Sequence, residues 1–166
     1  MDDYLAKWDA YLNGGHKIVK FVPASGAASR MFKNLYSFLD ADYSKPETEF
    51  EKVFFENIKK FAFKKELCST CKRNEGKCVT CLIDNGEYKA IVENLLEPRG
   101  LNYGRLPKGL LLFHSYDDGP RTPMEEHLVE AALYAKSDGK ANVHFTVSHD
   151  HIELLKQKVA EKADKY

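Results

Sequence analysis

The sequence predicts an α/β protein built on a parallel sheet. Two observations carry that expectation. Segments of strand and helix character alternate along the chain, and the first strand-like segment runs through a turn of small residues straight into a helical pattern. Alternation of this kind belongs to parallel α/β sheets, whose crossovers are helices. At 166 residues the chain has the length of one domain. Residues 1–166 are therefore expected to form a single α/β domain, with 41–104 a helical insertion that contains the four cysteines. Three strands make a thin doubly wound sheet, so the pattern also fits the N-terminal part of a longer protein.

Residues 2–13 are expected to be a short helix, with Tyr4, Leu5, Trp8, Tyr11 and Leu12 on one face and Gly14-Gly15 at its end. Residues 17–22 read as a buried strand (Ile18, Val19, Phe21, Val22), and Pro23 stops the ladder because it has no N–H to donate. Ala24-Ser25-Gly26-Ala27-Ala28 follow, and Ser29-Arg30-Met31 enters a helix that runs to about Asp40 with Met31, Leu35 and Leu39 in register. Small side chains let backbone N–H groups approach a phosphate, and a helix N-terminus favours negative charge. Arg30 would add a planar fork of donors. A tight turn in which small residues only permit close packing is the other reading of the same stretch.

Pro46 and Thr48 open a second helix, whose Phe50, Val53, Phe54, Ile58, Phe61 and Ala62 recur every three or four residues and form a buried aromatic face. Cys68-x-x-Cys71 and Cys78-x-x-Cys81 come next. Two pairs of thiolates are a tetrahedral zinc vocabulary, with Asn74-Glu75-Gly76 as the intervening tip. The same spacing fits one face of a helix, and buried free thiols are the default. Tyr88, Ile91, Val92, Leu95 and Leu96 mark a further helix closed by Pro98 and Gly100. The run Leu110–Phe113 reads as a buried strand or an extended segment, and Asp117-Asp118-Gly119-Pro120 as a turn. Thr122-Pro123-Met124-Glu125 has the form of a capping box with proline at the first helical position. Leu128, Val129, Ala132 and Leu133 give that helix its expected buried face. Residues 142–148 alternate as a strand, and the last helix starts near Asp150 with Ile152, Leu155 and Val159 inward.

Twenty-five basic residues balance 25 acidic ones. With no net charge to drive counterion release or lipid attraction, neither nucleic acid nor a membrane surface is an expected partner. No apolar run reaches the length of a membrane span, and residues 1–15 lack the pattern of a signal peptide, so a cytoplasmic location is expected.

The loop ending in Ser29-Arg30-Met31, together with Pro107-Lys108-Gly109, resembles the signature of sugar nucleotidyltransferases. Those enzymes fold as Rossmann-like three-layer α/β/α sandwiches of the nucleotide-diphospho-sugar transferase type. Over its whole length the sequence resembles the domain of unknown function 4301 family more closely, a group thought to share that fold. The resemblance implies that Ser25, Gly26, Ala27, Ala28 and Ser29 cradle a nucleoside triphosphate or nucleotide sugar. It further implies that Arg30 holds the pyrophosphate leaving group, that Lys108 sits near a phosphate, and that Mg²⁺ bridges phosphate oxygens. The loop departs from the signature in holding one glycine rather than two or three. In addition, 76 residues separate Arg30 from Pro107, where those enzymes have a short connection. A non-catalytic module that keeps the fold and binds a protein partner, with or without a four-cysteine zinc insertion, is the alternative.

His149-Asp150-His151, with His144, is a second cluster with metal-binding residue types, although flanking the last helix is the simpler role. His114 and His127 read as ordinary polar positions, and Glu125 and Glu126 suit the first turn of a helix without chemistry.

Overall fold

The computed structural model describes residues 1–24, 26 and 28–165. In chain order the elements are α1 (Asp2–Asn13), β1 (Lys20–Pro23), α2 (Lys33–Asp40), α3 (Glu49–Glu56), α4 (Lys64–Glu75), α5 (Val79–Asp84), α6 (Tyr88–Leu96), β2 (His114–Tyr116), β3 (Gly119–Arg121), α7 (Pro123–Tyr134), β4 (Lys136–Ser137), β5 (Lys140–Ala141), β6 (Val143–Thr146) and α8 (Ile152–Ala163). They divide into two compact units. Residues 1–26 and 123–166 form a terminal unit, and 27–122 a central one.

In the terminal unit β1 and β6 pair in parallel, Lys20 opposite Val143 and Pro23 opposite Thr146. Ala24 N–H donates to the Thr146 carbonyl (2.8 Å) and Lys20 N–H to that of Asn142 (2.8 Å), which extends the pairing at both ends. β2–β3 and β4–β5 pair antiparallel, so among the described residues the parallel sheet holds β1 and β6 rather than the three strands expected. Residues 110–113 do not join it. The expectation of a strand buried on both faces also fails at β1: Val22 is buried, but Val19 and Phe21 are exposed. A two-stranded ribbon has one covered face, so alternate side chains reach solvent. The buried stripe of α7 is rotated from the expected one. Met124, Ala131 and Ala135 are buried, whereas Leu133 is 77% exposed. Positions 124, 131 and 135 lie on one helical face, and 133 lies across from it.

The central unit is helical apart from the hairpin of β2 and β3, whose turn is Asp117-Asp118, while Gly119 and Pro120, expected in the turn, already belong to β3. Its core is lined by Leu35, Phe38, Ile58, Leu67, Leu82 and the inward face of α6. α6 packs on α2, α4 and α5, and Ile91, Val92, Leu95 and Leu96 are fully buried. α3 opens with a complete capping box: Glu51 N–H donates to Thr48 Oγ1 (3.3 Å), and Thr48 N–H to Glu51 Oε2 (3.0 Å). The helix expected to run from 48 through 62 breaks at Asn57, which donates its side-chain amide to the Val53 carbonyl (2.8 Å) and turns the chain into a short 3₁₀ segment, Ile58–Lys60. α4 ends in Gly76, at φ 68°, a left-handed cap that favours glycine. Leu111 is fully buried in an extended conformation that follows a 3₁₀ turn at Lys108–Leu110, so the 110–113 run is the extended segment, not a strand.

After α6 the chain folds back over that helix's own last turn. Leu101, Asn102, Tyr103 and Gly104 donate their N–H groups to the carbonyls of Asn94, Glu97, Leu95 and Leu96. Four orphan carbonyls are thereby satisfied at once. This wrap fixes the segment that leads to Pro107-Lys108.

Candidate functional site

Residues 28–32 form overlapping turns rather than the first turn of α2. Met31 N–H donates to the Ala28 carbonyl (2.9 Å), Phe32 to Ser29 (3.2 Å) and Lys33 to Arg30 (3.5 Å). The helix start expected at Ser29 is thus moved to Lys33, because those three N–H groups are spent inside the turn. Ala28 and Phe32 are buried in the core of the central unit, while Ser29, Arg30 and Met31 are exposed. Gly26 is exposed, with open space where a side chain would project. Ser25 and Ala27, two of the expected cradle residues, lie outside the described residues.

Tyr103 touches the stretch that follows each of the two expected phosphate-binding segments. Its ring packs on Phe32 (centroids 6.4 Å apart), and its hydroxyl accepts the N–H of Leu112 (3.2 Å). Burial pushes the Tyr103 hydroxyl up to about 12, so it stays protonated. Pro107 is buried and Lys108 beside it is exposed on the 3₁₀ turn. Among the described residues neither Arg30 nor Lys108 makes an ion pair.

The histidines do not converge. His149 and His151 lie in a 3₁₀ turn (His149–His151) that leads into α8 without a side-chain cap, and His144 is an exposed position of β6. Among the described residues no group of three or more His, Cys, Asp or Glu is placed to hold a metal ion.

Sequence reasoning passed over one cluster and read a second one differently. In the terminal unit Lys20 Nζ lies 2.6 Å from both Glu130 Oε2 and Tyr134 Oη, and His127 Nδ1 lies 3.0 Å from the same carboxylate oxygen. The hydrogen bonds from Lys20 and His127 hold the Glu130 carboxyl down at about 2. Lys20 stands at the start of β1, opposite the carboxyl end where α/β ligands gather, so the cluster fastens α7 to the strand. A depressed carboxyl stabilises the fold above its ordinary value of 4.5 and loses that contribution as pH falls towards 2. Glu130→Gln should therefore unfold at lower urea than the parent at pH 7, with the gap closing as pH falls through that window. Parallel declines of the two proteins would contradict the assignment.

The second cluster lies in the central unit. Cys68 and Cys71 are on α4, Cys71 fully buried. Cys78 caps α5, and Cys81 is exposed in its first turn. The default of buried thiols thus holds for Cys71 and fails for Cys81. The sequence offered the Cys-x-x-Cys spacing, which fits a metal or one helix face, and a second pair that runs straight into Leu82-Ile83.

The described units define a mixed α/β protein, largely helical, with three short two-stranded sheets. No helix among the described residues is long and apolar enough to cross a membrane. The model of one family, Domain of unknown function (DUF4301), matches residues 1–166, and the chain belongs to that family. No curated protein and no solved structure matches it.

Proposed function

We propose that the protein binds a nucleoside triphosphate or nucleotide sugar through its phosphates, with Arg30 and Lys108 as the cations that hold them. The observation that carries this reading is that both side chains are exposed and without an ion-pair partner among the described residues, each ahead of a stretch that touches the same buried tyrosine. Arg30 offers a bidentate fork and Lys108 a mobile point charge, a division of labour that suits adjacent phosphate groups. In the fuller form of the proposal, the fold is a Rossmann-like sandwich of the nucleotide-diphospho-sugar transferase type and residues 25–29 complete the cradle. A sugar phosphate then attacks the α-phosphate of the nucleotide, and pyrophosphate leaves. The Mg²⁺ implied by the resemblance would be held chiefly by the nucleotide's own phosphate oxygens, with one or two protein carboxylates at most.

A thermal-shift panel of UTP, CTP, GTP, ATP and matching nucleotide sugars, with and without Mg²⁺, tests the reading. A ligand at a hundredfold its Kd should stabilise by about 2.7 kcal/mol, and Arg30→Ala and Lys108→Ala should each abolish most of the shift. No shift with any nucleotide would sink it.

One observation favours the alternative of a non-catalytic module with a protein partner. α1 buries none of its residues, and Tyr4, Leu5, Trp8 and Tyr11 are all exposed. The face expected to pack inward is open.

A further inference from the structure

In the central unit the Sγ atoms of Cys78 and Cys81 lie 2.8 Å apart, and Cys81 N–H donates to Cys78 Sγ (3.3 Å). A disulfide needs its sulfurs at about 2.05 Å, so a small side-chain rotation would close the bond without moving α5. Val79 and Thr80, the residues between the two cysteines, line a cleft of about 290 Å³ whose other walls include Lys59, Lys64, Lys65 and Cys68. No carboxylate lines it. Among the described residues none of the three lysines forms an ion pair.

We propose that Cys78 and Cys81 form a dithiol–disulfide exchange site whose co-reactant is an anionic disulfide seated in the lysine-lined cleft. The thiolate of Cys78 attacks one sulfur of the reagent, R–S–S–R. The reagent's S–S bond breaks, the first R–S⁻ leaves and takes up a proton equivalent to the one Cys78 lost. Cys81 then gives up its proton and attacks Cys78 Sγ, which expels the second thiolate, protonated in turn. Two thiols have become one Cys78–Cys81 disulfide and one disulfide has become two thiols, so two electrons pass to the reagent. The reverse sequence, with an external dithiol, restores the site.

The two cysteines differ as attacking and resolving groups should. The hydrogen bond from the Cys81 thiol, with that from the Cys81 backbone, holds Cys78 below the ordinary thiol value. The same thiol–thiol bond raises Cys81. Thiolate character governs which sulfur attacks. Burial pushes Cys71 up to about 11, which leaves it a spectator.

Trypsin separates the two pairs, because Lys72, Lys77 and Lys89 leave Cys68 and Cys71 in one peptide and Cys78 and Cys81 in peptide 78–89. The full chain is equilibrated with glutathione disulfide, quenched with an alkylating agent, digested and weighed. Peptide 78–89 is expected two hydrogen masses light and unalkylated, with both cysteines of the other peptide alkylated. Cys81→Ser should trap glutathione on Cys78, and Cys78→Ser should leave Cys81 largely unmodified. With each rate divided by that of free cysteine, oxidation by glutathione disulfide should be about tenfold faster than by cationic cystamine at low salt. The ratio should collapse towards one in Lys59→Gln/Lys64→Gln/Lys65→Gln or at high salt. A fully alkylated peptide 78–89 after equilibration would overturn the exchange site, as would bound zinc that protects all four thiols. Glutathione trapped on Cys81 rather than Cys78 would overturn the assignment of roles, and equal normalised rates would overturn the anionic co-reactant.

Discussion

Gly100→Ala is expected to be among the most destabilising single-atom additions this chain can receive. A Cβ at Gly100 would lie 2.0 Å from the Asn94 carbonyl oxygen and 2.5 Å from its carbon. Both belong to the backbone of α6, so no side chain can swing aside to relieve the clash. The displaced oxygen is the one that accepts the Leu101 N–H at 2.8 Å. Moving it therefore loosens the wrap that satisfies the end of α6. Overpacking of this kind costs about 3 kcal/mol, or more where backbone must move. With a urea dependence of about 1–3 kcal/mol per molar, the midpoint should fall by about 1 M or more. Gly104→Ala should follow in the same direction, since its Cβ would meet Tyr36 Oη at 1.8 Å. Gly26→Ala is the control: nothing lies within 4 Å of its Cβ and stability should not change. Equal midpoints for Gly100→Ala and Gly26→Ala would disprove the packing described for the wrap.

Asn94→Asp should be as costly, for an electrostatic reason, and its cost should depend on pH. Asn94 is fully buried on α6. Its amide donates to Glu75 Oε1 (2.7 Å) and to the Ala90 carbonyl (2.8 Å), and its oxygen accepts from Asn74 Nδ2 (2.7 Å). Arg99 completes the group through Glu75 (2.9 Å) and Glu93. An aspartate in this place keeps the shape but turns a donor into a second carboxylate facing Glu75. Leaving a buried charge against a like charge costs about 3–5 kcal/mol. Both effects raise the apparent pKa of the new pair in the folded state. The penalty is therefore full at neutral pH and shrinks as pH falls through that raised value, where one carboxyl binds a proton and donates again. The gap in urea midpoint between variant and parent, measured at each pH, should narrow from pH 7 to pH 4. A gap independent of pH would mean that the network does not exist as described.

Much of the helical architecture was legible in the sequence. Tyr88–Leu96 declared itself by its apolar spacing, Pro123 marked the first residue of α7, and Thr48 capped α3 as its chemistry requires. What escaped depended on contacts that the local pattern does not encode. Asn57 interrupts a continuous apolar periodicity through one side-chain bond to the Val53 carbonyl. For Leu110–Phe113 the local pattern left strand and extended segment both open, and the second holds because no strand among the described residues pairs with it. At the candidate site Arg30 and Lys108 are exposed, and the helix start moved four residues downstream because turns 28–32 consumed their own donors. The stretches that follow those two segments both touch Tyr103, which nothing in the signature singled out. The Cys78-x-x-Cys81 spacing was visible, as a metal or helix-face pattern; that Cys78 caps α5 was not, because cysteine is not a usual capping residue.

The terminal unit joins residues 1–26 to residues 123–166 across the whole central unit, with Lys20 of β1 paired to Val143 of β6. During synthesis the ribosome delivers β1 first and its partner only after the whole central unit has emerged. At about 5–20 residues per second, that interval is on the order of ten seconds. The central unit, whose helices are continuous in sequence and close short loops, has everything it needs to fold in that time. β1, with Phe21 and Val19 outward and no partner for its backbone, must wait as an exposed apolar segment. The order of birth along the chain thus leaves β1, rather than the helical centre, as the segment that waits longest for its pairing partner.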